Sequence, residues 1–301
     1  MGTIWSGVFP AVTTQFRQDF SPDLEATSRV IDALIEDGVD GLVIAGTVGE
    51  GCSLSGEEKR ALIKVAIDTV AGRVPVVVGV AEYTTALAAK LATDAEALGA
   101  DGLMVLPAMV YSARFDEIIA HFAEVAAASS LEIMIYNNPP AYGNDVTPHL
   151  AARLAEIPTI RAMKESSGEV NRLVDLQNEV GDRLIPFCGL DDVLLESVAL
   201  GAVGWVSGMS NVFPKEVRAL FGLALAGRLE EARQLNAWFM PLLHLDARPD
   251  LVQCIKLCEQ IAGRGSEVTR PPRLPLKGEA RREIEAIMKQ ALATRPELPQ
   301  I

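Results

Sequence analysis

The sequence predicts an α/β protein, a (β/α)8 (TIM) barrel with a C-terminal helical extension. Short β-rich runs alternate with longer amphipathic stretches about eight times, as expected when each strand is followed by a helix. Ala, Val, Leu and Ile carry the apolar content and aromatic residues make up only 5%, a mix typical of parallel strands covered by helices. The length of 301 residues is normal for one such barrel.

The predicted strands are apolar runs bounded by glycine, proline or polar residues. In chain order they cover residues 7–14, 41–47, 74–80, 102–107, 132–138, 159–165, 184–189 and 202–207. The predicted helices that follow them cover residues 23–37, 55–71, 84–98, 114–129, 147–156, 169–180, 191–200 and 214–226.

Local signals mark the ends of several helices. Ser55 followed by Glu58 forms a capping box, and Pro148 after Thr147 places proline at the first helical position. Glycines follow the apolar-periodic runs at Gly38, Gly72, Gly99 and Gly181. The first strand is not followed by a G-x-G-x-x-G turn, so the alternative of an open doubly wound sheet is disfavoured.

The barrel is expected to occupy residues 1–226, and residues 227–301 to form the helical extension packed on it. Residues 228–262 predict two helices broken around Asp246–Pro249, and residues 278–293 predict a third. The second of these helices carries an apolar stripe that comprises Leu251, Cys254, Ile255, Cys258 and Ile261. No flexible linker separates the two parts, which favours a cap over an independent domain.

Charge and composition exclude several classes of partner. The formal charge of −13 and the pI near 4.8 argue against nucleic acid. No apolar run reaches the roughly 18 residues of a membrane span, and the first residues lack the pattern of a signal peptide. The four cysteines form no C-x-x-C pair. We therefore expect a cytoplasmic protein with reduced cysteines.

Lys164 is a candidate nucleophile because it stands near the end of the sixth predicted strand, in "AMKES". Alternation along a strand places Ile160, Ala162 and Lys164 on one face and Arg161 and Met163 on the other. If the first face is the barrel interior, desolvation favours the neutral, nucleophilic amine. The alternative is a lysine at the strand end that reaches solvent.

Tyr136 ends the fifth predicted strand, in "MIYNNPP", next to the sixth strand in the barrel order. The same alternation places Met134 and Tyr136 on one face and Ile133 and Ile135 on the other. A phenol beside an amine can move protons while an imine forms. A buried tyrosine bonded to a backbone carbonyl is the alternative reading.

Three further strand ends supply candidate binding residues. Gly46 and Thr47 belong to "AGTVGEGCSLS" after the second strand, where successive N–H groups of a glycine-rich turn can hold a carboxylate. Gly189 in "FCGLDD" and Val206 with Ser207 in "GWVSG" are expected to close the far side of the barrel mouth.

Other chemistries are poorly matched by the sequence. The three histidines lie far apart at His121, His149 and His244, which gives no zinc spacing and no Cys–His motif. The carboxylate pair Asp191–Asp192 could suggest a glycosidase, but it is better explained as capping the helix that follows.

Four motifs in this order and spacing resemble the dihydrodipicolinate synthase / N-acetylneuraminate lyase family: "GTVGE", "YNNP", "MKESSG" and "GLDD". The resemblance covers nearly the whole chain. It implies a class I aldolase-like mechanism on a TIM barrel, usually in a homotetramer, without a metal or an organic cofactor. It also implies that Lys164 forms the Schiff base, that Tyr136 shuttles protons, and that Thr47 with the Val48 amide binds the carboxylate of a 2-oxo acid.

The sequence departs from the family pattern at three places. Val48 replaces a second hydroxyl residue of the loop. Ala141 stands where the family's synthases carry an arginine for the second substrate's carboxylate. Residues 107–109 read Pro-Ala-Met in place of "PYY", with a tyrosine only at Tyr111.

With the tail "LDARPDLVQCIKLCE", these features are most similar to the hydroxyproline-catabolic branch of the family, the pyrroline-4-hydroxy-2-carboxylate deaminases. The resemblance thus implies ring opening of a cyclic imine by Lys164, with 2,5-dioxopentanoate and ammonia as products. The alternatives are an aldolase for 2-keto-3-deoxy or 4-hydroxy-2-oxo acids, a dihydrodipicolinate synthase, and a non-enzymatic sensor of 2-oxo acids.

Overall fold

A computed structural model describes residues 5–107 and 111–299. Within these residues the strands are β1 (Gly7–Pro10), β2 (Leu42–Ile44), β3 (Val76–Val80), β4 (Gly102–Val105), β5 (Glu132–Asn137), β6 (Ile160–Glu165), β7 (Ile185–Cys188) and β8 (Gly204–Ser207). All pairings are parallel in the order β1-β8-β7-β6-β5-β4-β3-β2. A bridge between Ala11 and Val43 joins the two remaining edges, so the sheet closes into the predicted barrel.

Helices follow every strand and cover the outside of the barrel. They are α1 (Leu24–Glu36), α2 (Gly56–Val70), α3 (Thr85–Leu98), α4 (Phe115–Ala127), α5 (Pro139–Tyr142), α6 (Pro148–Leu154), α7 (Arg172–Val180), α8 (Leu194–Ala199) and α9 (Pro214–Leu225). The C-terminal part adds α10 (Leu229–Leu243), α11 (Leu251–Ile261) and α12 (Gly278–Ala293). The capping box of Ser55 and Glu58 is present, and Pro148 begins α6. The short helix α5 was not predicted.

The strands place their side chains alternately in two apolar layers. Val43, Val77 and Met104 belong to the inner cluster, and their neighbours Ile44 and Val78 belong to the layer under the helices. Both layers are buried because each strand lies between the barrel interior and a helix. This explains why the strands read as nearly continuous apolar runs.

One expectation about strand faces is wrong. The register between β5 and β6 shifts after Ile133, which pairs with Ile160, whereas Met134 pairs with Ala162. Arg161 is the extra residue, and it is exposed. As a result Ile160 packs in the outer layer and does not share the face of Ala162 and Lys164.

The C-terminal helices share the inner core of the barrel. Phe239, Ile255 and Met288, one from each of these helices, belong to the same buried cluster as the strand residues Phe187 and Trp205. The boundary drawn between residues 226 and 227 stays a prediction. Among the helices of the described residues, none is long and apolar enough to cross a membrane.

A buried ion pair ties α11 to the loop after β2. The Lys256 ammonium is completely buried and donates to Glu50 Oε1 at 3.0 Å and to the Thr14 carbonyl at 2.8 Å. Glu50, also fully buried, accepts from the Arg270 backbone N–H at 3.0 Å through its other oxygen. Removing one partner of such a pair leaves an uncompensated charge in the core.

We therefore expect Lys256→Met to lower the free energy of unfolding by about 3–5 kcal/mol, because buried Glu50 loses its nearer countercharge and keeps only Arg273 at 3.8 Å, while the side-chain volume is nearly kept. Urea denaturation measures this change. Lys289→Met, at an exposed position of α12, is the matched control and should be nearly neutral. A loss below about 1 kcal/mol for Lys256→Met would show that the pair does not hold the helix in place.

Candidate active site

A cavity opens at the carboxyl ends of the strands, where barrels of this class hold their catalytic groups. Lys164 of β6 and Tyr136 of β5 line it from one side. Val206 of β8 and Gly189 after β7 line it from the other. The structure thus brings together four residues that the sequence proposed at four different strand ends.

Lys164 and Tyr136 are direct neighbours. Their Cα atoms are register partners on adjacent strands, and Lys164 Nζ lies 4.0 Å from the centroid of the Tyr136 ring. Both side chains are buried, with 6% and 4% of their surface exposed. Within the described ranges, no carboxylate oxygen lies within ion-pairing distance of Lys164 Nζ. The amine therefore faces an aromatic ring and an enclosed cavity rather than a countercharge or bulk water.

The orientation of Tyr136 is fixed by the turn that follows its strand. Asn138 donates through Nδ2 to the Tyr136 hydroxyl at 3.0 Å, and its Oδ1 accepts from the Ala141 backbone N–H at 3.1 Å. Asn138 thereby caps α5 and holds the phenol at the same time. The phenol oxygen keeps a lone pair and a proton available for exchange.

A second phenol, Tyr142, contacts two residues of the cavity lining, Tyr136 and Thr47, without lining the cavity itself, and it was missed from the sequence. The two proline residues Pro139 and Pro140 begin α5 and turn the chain back, so that Tyr142 stacks edge to face on Tyr136 with ring centroids 6.1 Å apart. The hydroxyls of Tyr142 and Thr47 form a short hydrogen bond. Burial, and next the adjacent Tyr136 phenol, raise the pKa of Tyr142, so Tyr142 stays a neutral phenol at physiological pH.

The loop after β2 presents free backbone donors to the cavity. Gly46, Thr47 and Val48 line it, as expected for the predicted carboxylate cradle. The N–H groups of Glu50 and Gly51 are used inside the loop, on the carbonyls of Thr47 and Gly46 at 3.1 Å each. In the described part of the chain, the N–H groups of Thr47 and Val48 have no acceptor. They are available for an anionic group.

Glycine at position 189 makes room for the lysine. A Cβ on Gly189 would lie 2.0 Å from Ser166 Oγ, 2.7 Å from the Glu165 carbonyl and 2.8 Å from Lys164 Cγ. All three distances are shorter than any real carbon contact, and one involves backbone that cannot move away. The absence of a side chain at Gly189 is therefore a condition for the observed position of Lys164.

Ser207 and the aspartate pair have other partners than expected. The Ser207 hydroxyl is buried and donates to Asp191 Oδ2 at 3.1 Å, away from the cavity lining. Asp191 also accepts from Trp205 Nε1 at 2.9 Å and from the Met209 N–H at 2.7 Å. The prediction that Asp191 and Asp192 cap the next helix is wrong, because Asp191 holds the turn after β8 and Asp192 pairs with His244.

The tyrosine after the fourth strand is not in the cavity lining. Tyr111 is 55% exposed, and its carbonyl accepts from Asn144 Nδ2 at 2.9 Å. Ala108 and Met109, where the family pattern has tyrosines, lie outside the described residues.

Two residues of the C-terminal part, Asp246 and Leu251, also line the cavity. No sequence signal assigned either of them to the site.

The fold and the site define a class: a (β/α)8 barrel with a buried lysine beside a tyrosine at the ends of its strands. Comparison with known proteins gives the family. The model of the dihydrodipicolinate synthetase family matches residues 5–291, and the chain belongs to this family.

Several relatives have been named or solved. A 4-hydroxy-tetrahydrodipicolinate synthase from an Exiguobacterium species is 33% identical over 95% of this chain and 98% of its own length. The structure of the 4-hydroxy-tetrahydrodipicolinate synthase from Methylacidiphilum fumariolicum SolV matches with a TM-score of 0.91 and 30% identity, covering 96% of each chain. A prophage protein of the same family from E. coli K12, solved in complex with pyruvate, matches with a TM-score of 0.90 and 29% identity over 96% of this chain and 99% of its own.

The packing around Gly189 leads to a testable expectation. Gly189→Ala should lower the free energy of unfolding by about 1–3 kcal/mol, because the added methyl group overpacks the site beside Lys164. Gly56→Ala is the matched control, since its Cβ would meet only Arg60 Nη1, at 3.4 Å, and alanine favours the helix there. Denaturant unfolding measures both. Equal stability of the two variants would show that the loop after β7 can move away from Lys164.

Proposed function

We propose that this chain is a Schiff-base-forming enzyme that acts on a small 2-oxo acid or its cyclic imine through Lys164. The observation that carries the proposal is the buried Lys164 amine, without a carboxylate partner in the described residues, facing the Tyr136 ring inside the cavity. Membership in a family of class I aldolase-type lyases supports it, as does the pyruvate complex of the E. coli relative.

The geometry suggests how such a reaction begins. The free N–H groups of Thr47 and Val48 hold the substrate carboxylate, which places C2 toward the amine. The Lys164 nitrogen attacks C2, and a C–N bond forms while the oxygen or ring nitrogen on C2 takes up a proton. Tyr136 supplies and recovers protons, and the hydrogen-bonded pair of Thr47 and Tyr142 extends the hydroxyl network. Departure of water, or of the ring nitrogen as a free amine, then breaks the second bond on C2 and leaves an imine on Lys164. Loss of a C3 proton from this imine gives a nucleophilic enamine.

The relatives favour one use of this enamine, the synthase reaction. Those compared above that carry an activity in their names are 4-hydroxy-tetrahydrodipicolinate synthases. By carbon balance, their seven-carbon product arises when the enamine of pyruvate adds to a four-carbon amino aldehyde that bears one carboxylate. The aldehyde oxygen becomes the 4-hydroxyl, and the amino group displaces Lys164 from C2. Of the two specific reactions, this one has the better support from the comparisons.

A specific observation favours the second candidate, the pyrroline-4-hydroxy-2-carboxylate deaminase. In the described residues, Lys164 is the only cationic side chain that lines the cavity, and Ala141 stands where an arginine would hold a second carboxylate. A substrate with a single carboxylate suits this site. The enamine of the opened ring would expel the 4-hydroxyl, and hydrolysis would release ammonia and 2,5-dioxopentanoate.

Two other readings remain as alternatives. An aldolase for 2-keto-3-deoxy or 4-hydroxy-2-oxo acids would use the same lysine and enamine. A sensor of 2-oxo acids would need the carboxylate cradle but not an amine beside a phenol, so the pairing of Lys164 with Tyr136 argues against it. A homotetramer and the absence of a cofactor stay predictions from the family resemblance, and a cytoplasmic location stays a prediction from the sequence composition.

Covalent capture tests the central proposal. Borohydride in the presence of pyruvate should reduce an adduct onto Lys164, because the imine is trapped as a stable secondary amine. Mass spectrometry of the digested chain identifies the modified peptide. Lys164→Ala should give no adduct, whereas Tyr136→Phe should still be labelled but turn over about 10²-fold more slowly. An unlabelled Lys164 in the wild-type chain would refute the proposal.

Product analysis separates the two specific candidates. Given pyruvate with L-aspartate 4-semialdehyde, a synthase consumes both without releasing ammonia; given pyrroline-4-hydroxy-2-carboxylate, a deaminase releases ammonia in equal amount to 2,5-dioxopentanoate. We expect Ala141→Arg to shift the ratio of kcat/KM values toward the substrate with the second carboxylate, because it adds the missing cation. Release of pyruvate from a 4-hydroxy-2-oxo acid, without ammonia, would instead identify an aldolase.

A further inference from the structure

The C-terminal part contributes a carboxyl group to the cavity. Asp246 lies in a short 3₁₀ turn, His244–Ala247, between α10 and α11. Its side chain lines the same cavity as Lys164, with 8% of the residue surface exposed. The carboxyl lies over the backbone of Gly208, where a Cβ would approach Asp246 Oδ1 to 2.3 Å. The position of this acid is therefore fixed by packing.

The surroundings of Asp246 are poor in compensating charge. In the described residues it forms no ion pair within 4.0 Å. The titratable groups that act on it are Lys164 on β6 and the neighbouring carboxyls of Asp191 and Asp192 after β7. Burial raises the pKa of Asp246 to about 6, and Lys164 and the backbone N–H of Asp191 act in the opposite direction. The acid form is thus accessible near neutral pH.

The neighbouring carboxyl of Asp191 shows the contrast. It is completely buried and accepts from the three donors named above, on Trp205, Ser207 and Met209. Those bonds occupy Asp191 with the turn after β8, and it does not line the cavity. Of the two acids, only Asp246 faces the space where a substrate bound to Lys164 would extend.

We propose that Asp246 is a catalytic residue, the acid that protonates the oxygen on C4 of the substrate bound to Lys164. The inference rests on the proposed Schiff-base function but not on which of its two specific reactions occurs. In both reactions the oxygen on C4 gains a proton: as the new alkoxide of the addition, or as the leaving hydroxyl of the elimination.

In both the addition and the elimination, the enzyme transfers one proton from Asp246 to the oxygen on C4, and the electron pairs of the substrate balance as follows. In the addition, the enamine pair forms the C3–C4 bond, the carbonyl pair moves to oxygen, and the Asp246 proton converts that oxygen to a hydroxyl. In the elimination, the enamine pair forms the C3–C4 double bond, the C4–O pair leaves with oxygen, and the Asp246 proton converts it to water. In both, Asp246 is left as a carboxylate and regains its proton from solvent.

The test compares Asp246→Asn with Asp192→Asn. Each change removes one carboxylate near the cavity, but only Asp246 lines it. Asp246→Asn should lower kcat on the converted substrate by about 10²–10⁴-fold, the range for a lost proton donor, while borohydride still traps pyruvate on Lys164 at the wild-type level. Asp192→Asn should keep trapping, and should keep turnover when the pH is low enough for Asp246 to be protonated, because Asp192 acts on Asp246 only through its charge. Equal turnover of Asp246→Asn and wild type would overturn the inference.

The pH dependence and a rescue experiment give independent readouts. Because the acid form is required, kcat/KM of the wild type should fall as the pH rises through about 6, and this limb should be absent in Asp246→Asn. Asp246→Ala should regain turnover when formate is added, since a small acid can enter the vacated space. Failure of formate to restore a folded Asp246→Ala variant, or loss of borohydride trapping in Asp246→Asn, would overturn the role at C4.

The two proposals fail in different ways. A wild-type chain that forms no borohydride adduct refutes the Schiff-base function, and the inference about Asp246 falls with it. If borohydride traps pyruvate on Lys164 but Asp246→Asn turns over as fast as the wild type, the proposed Schiff-base function stands. Only the assignment of Asp246 as the proton donor is then refuted.

Discussion

The ion pair between Lys256 and Glu50 is the constraint on which the site depends. It joins a helix near the end of the chain to a loop near its beginning, and both charges are completely buried. Glu50 is in the left-handed region with φ of 54°, which costs free energy for a residue other than glycine, and its buried bonds to Lys256 and Arg270 help to offset that cost. The same loop carries the free N–H groups of Thr47 and Val48. The position of these proposed carboxylate donors thus depends on a contact outside the cavity.

The C-terminal helices are consequently part of the site as well as a cover for the barrel. They provide Asp246 and Leu251 to the cavity lining, and Lys256 to the loop opposite. A second buried contact, from Thr13 Oγ1 to Glu259 Oε1 at 2.9 Å, ties α11 to the segment that follows β1. The strands alone would provide Lys164 and Tyr136. They would provide neither the carboxyl of Asp246 nor the contact that holds the loop after β2.

Sequence patterns predicted what depends on local periodicity. The eight strands and the helices between them followed from apolar alternation and end signals. Alternation assigned Tyr136 and Lys164 each to one face of its strand but left open whether that face was the barrel interior, where the structure places both. Patterns failed where one residue breaks the period, as at Arg161, and so misplaced Ile160.

They also failed where a contact joins distant segments: no spacing rule connects Asp246 to Lys164, or Tyr142 to Thr47. The partners of Ser207 and Asp191 likewise became visible only once β7 and β8 lay side by side.

The side chains of Tyr136, Tyr142 and Thr47 form a network of contacts within one chain. Both phenols stand on one short segment of a single chain, joined by the turn of α5, and the threonine they approach belongs to that same chain. No neighbouring protomer is needed to supply these three hydroxyls. The folding of one chain therefore suffices to bring these three hydroxyls together.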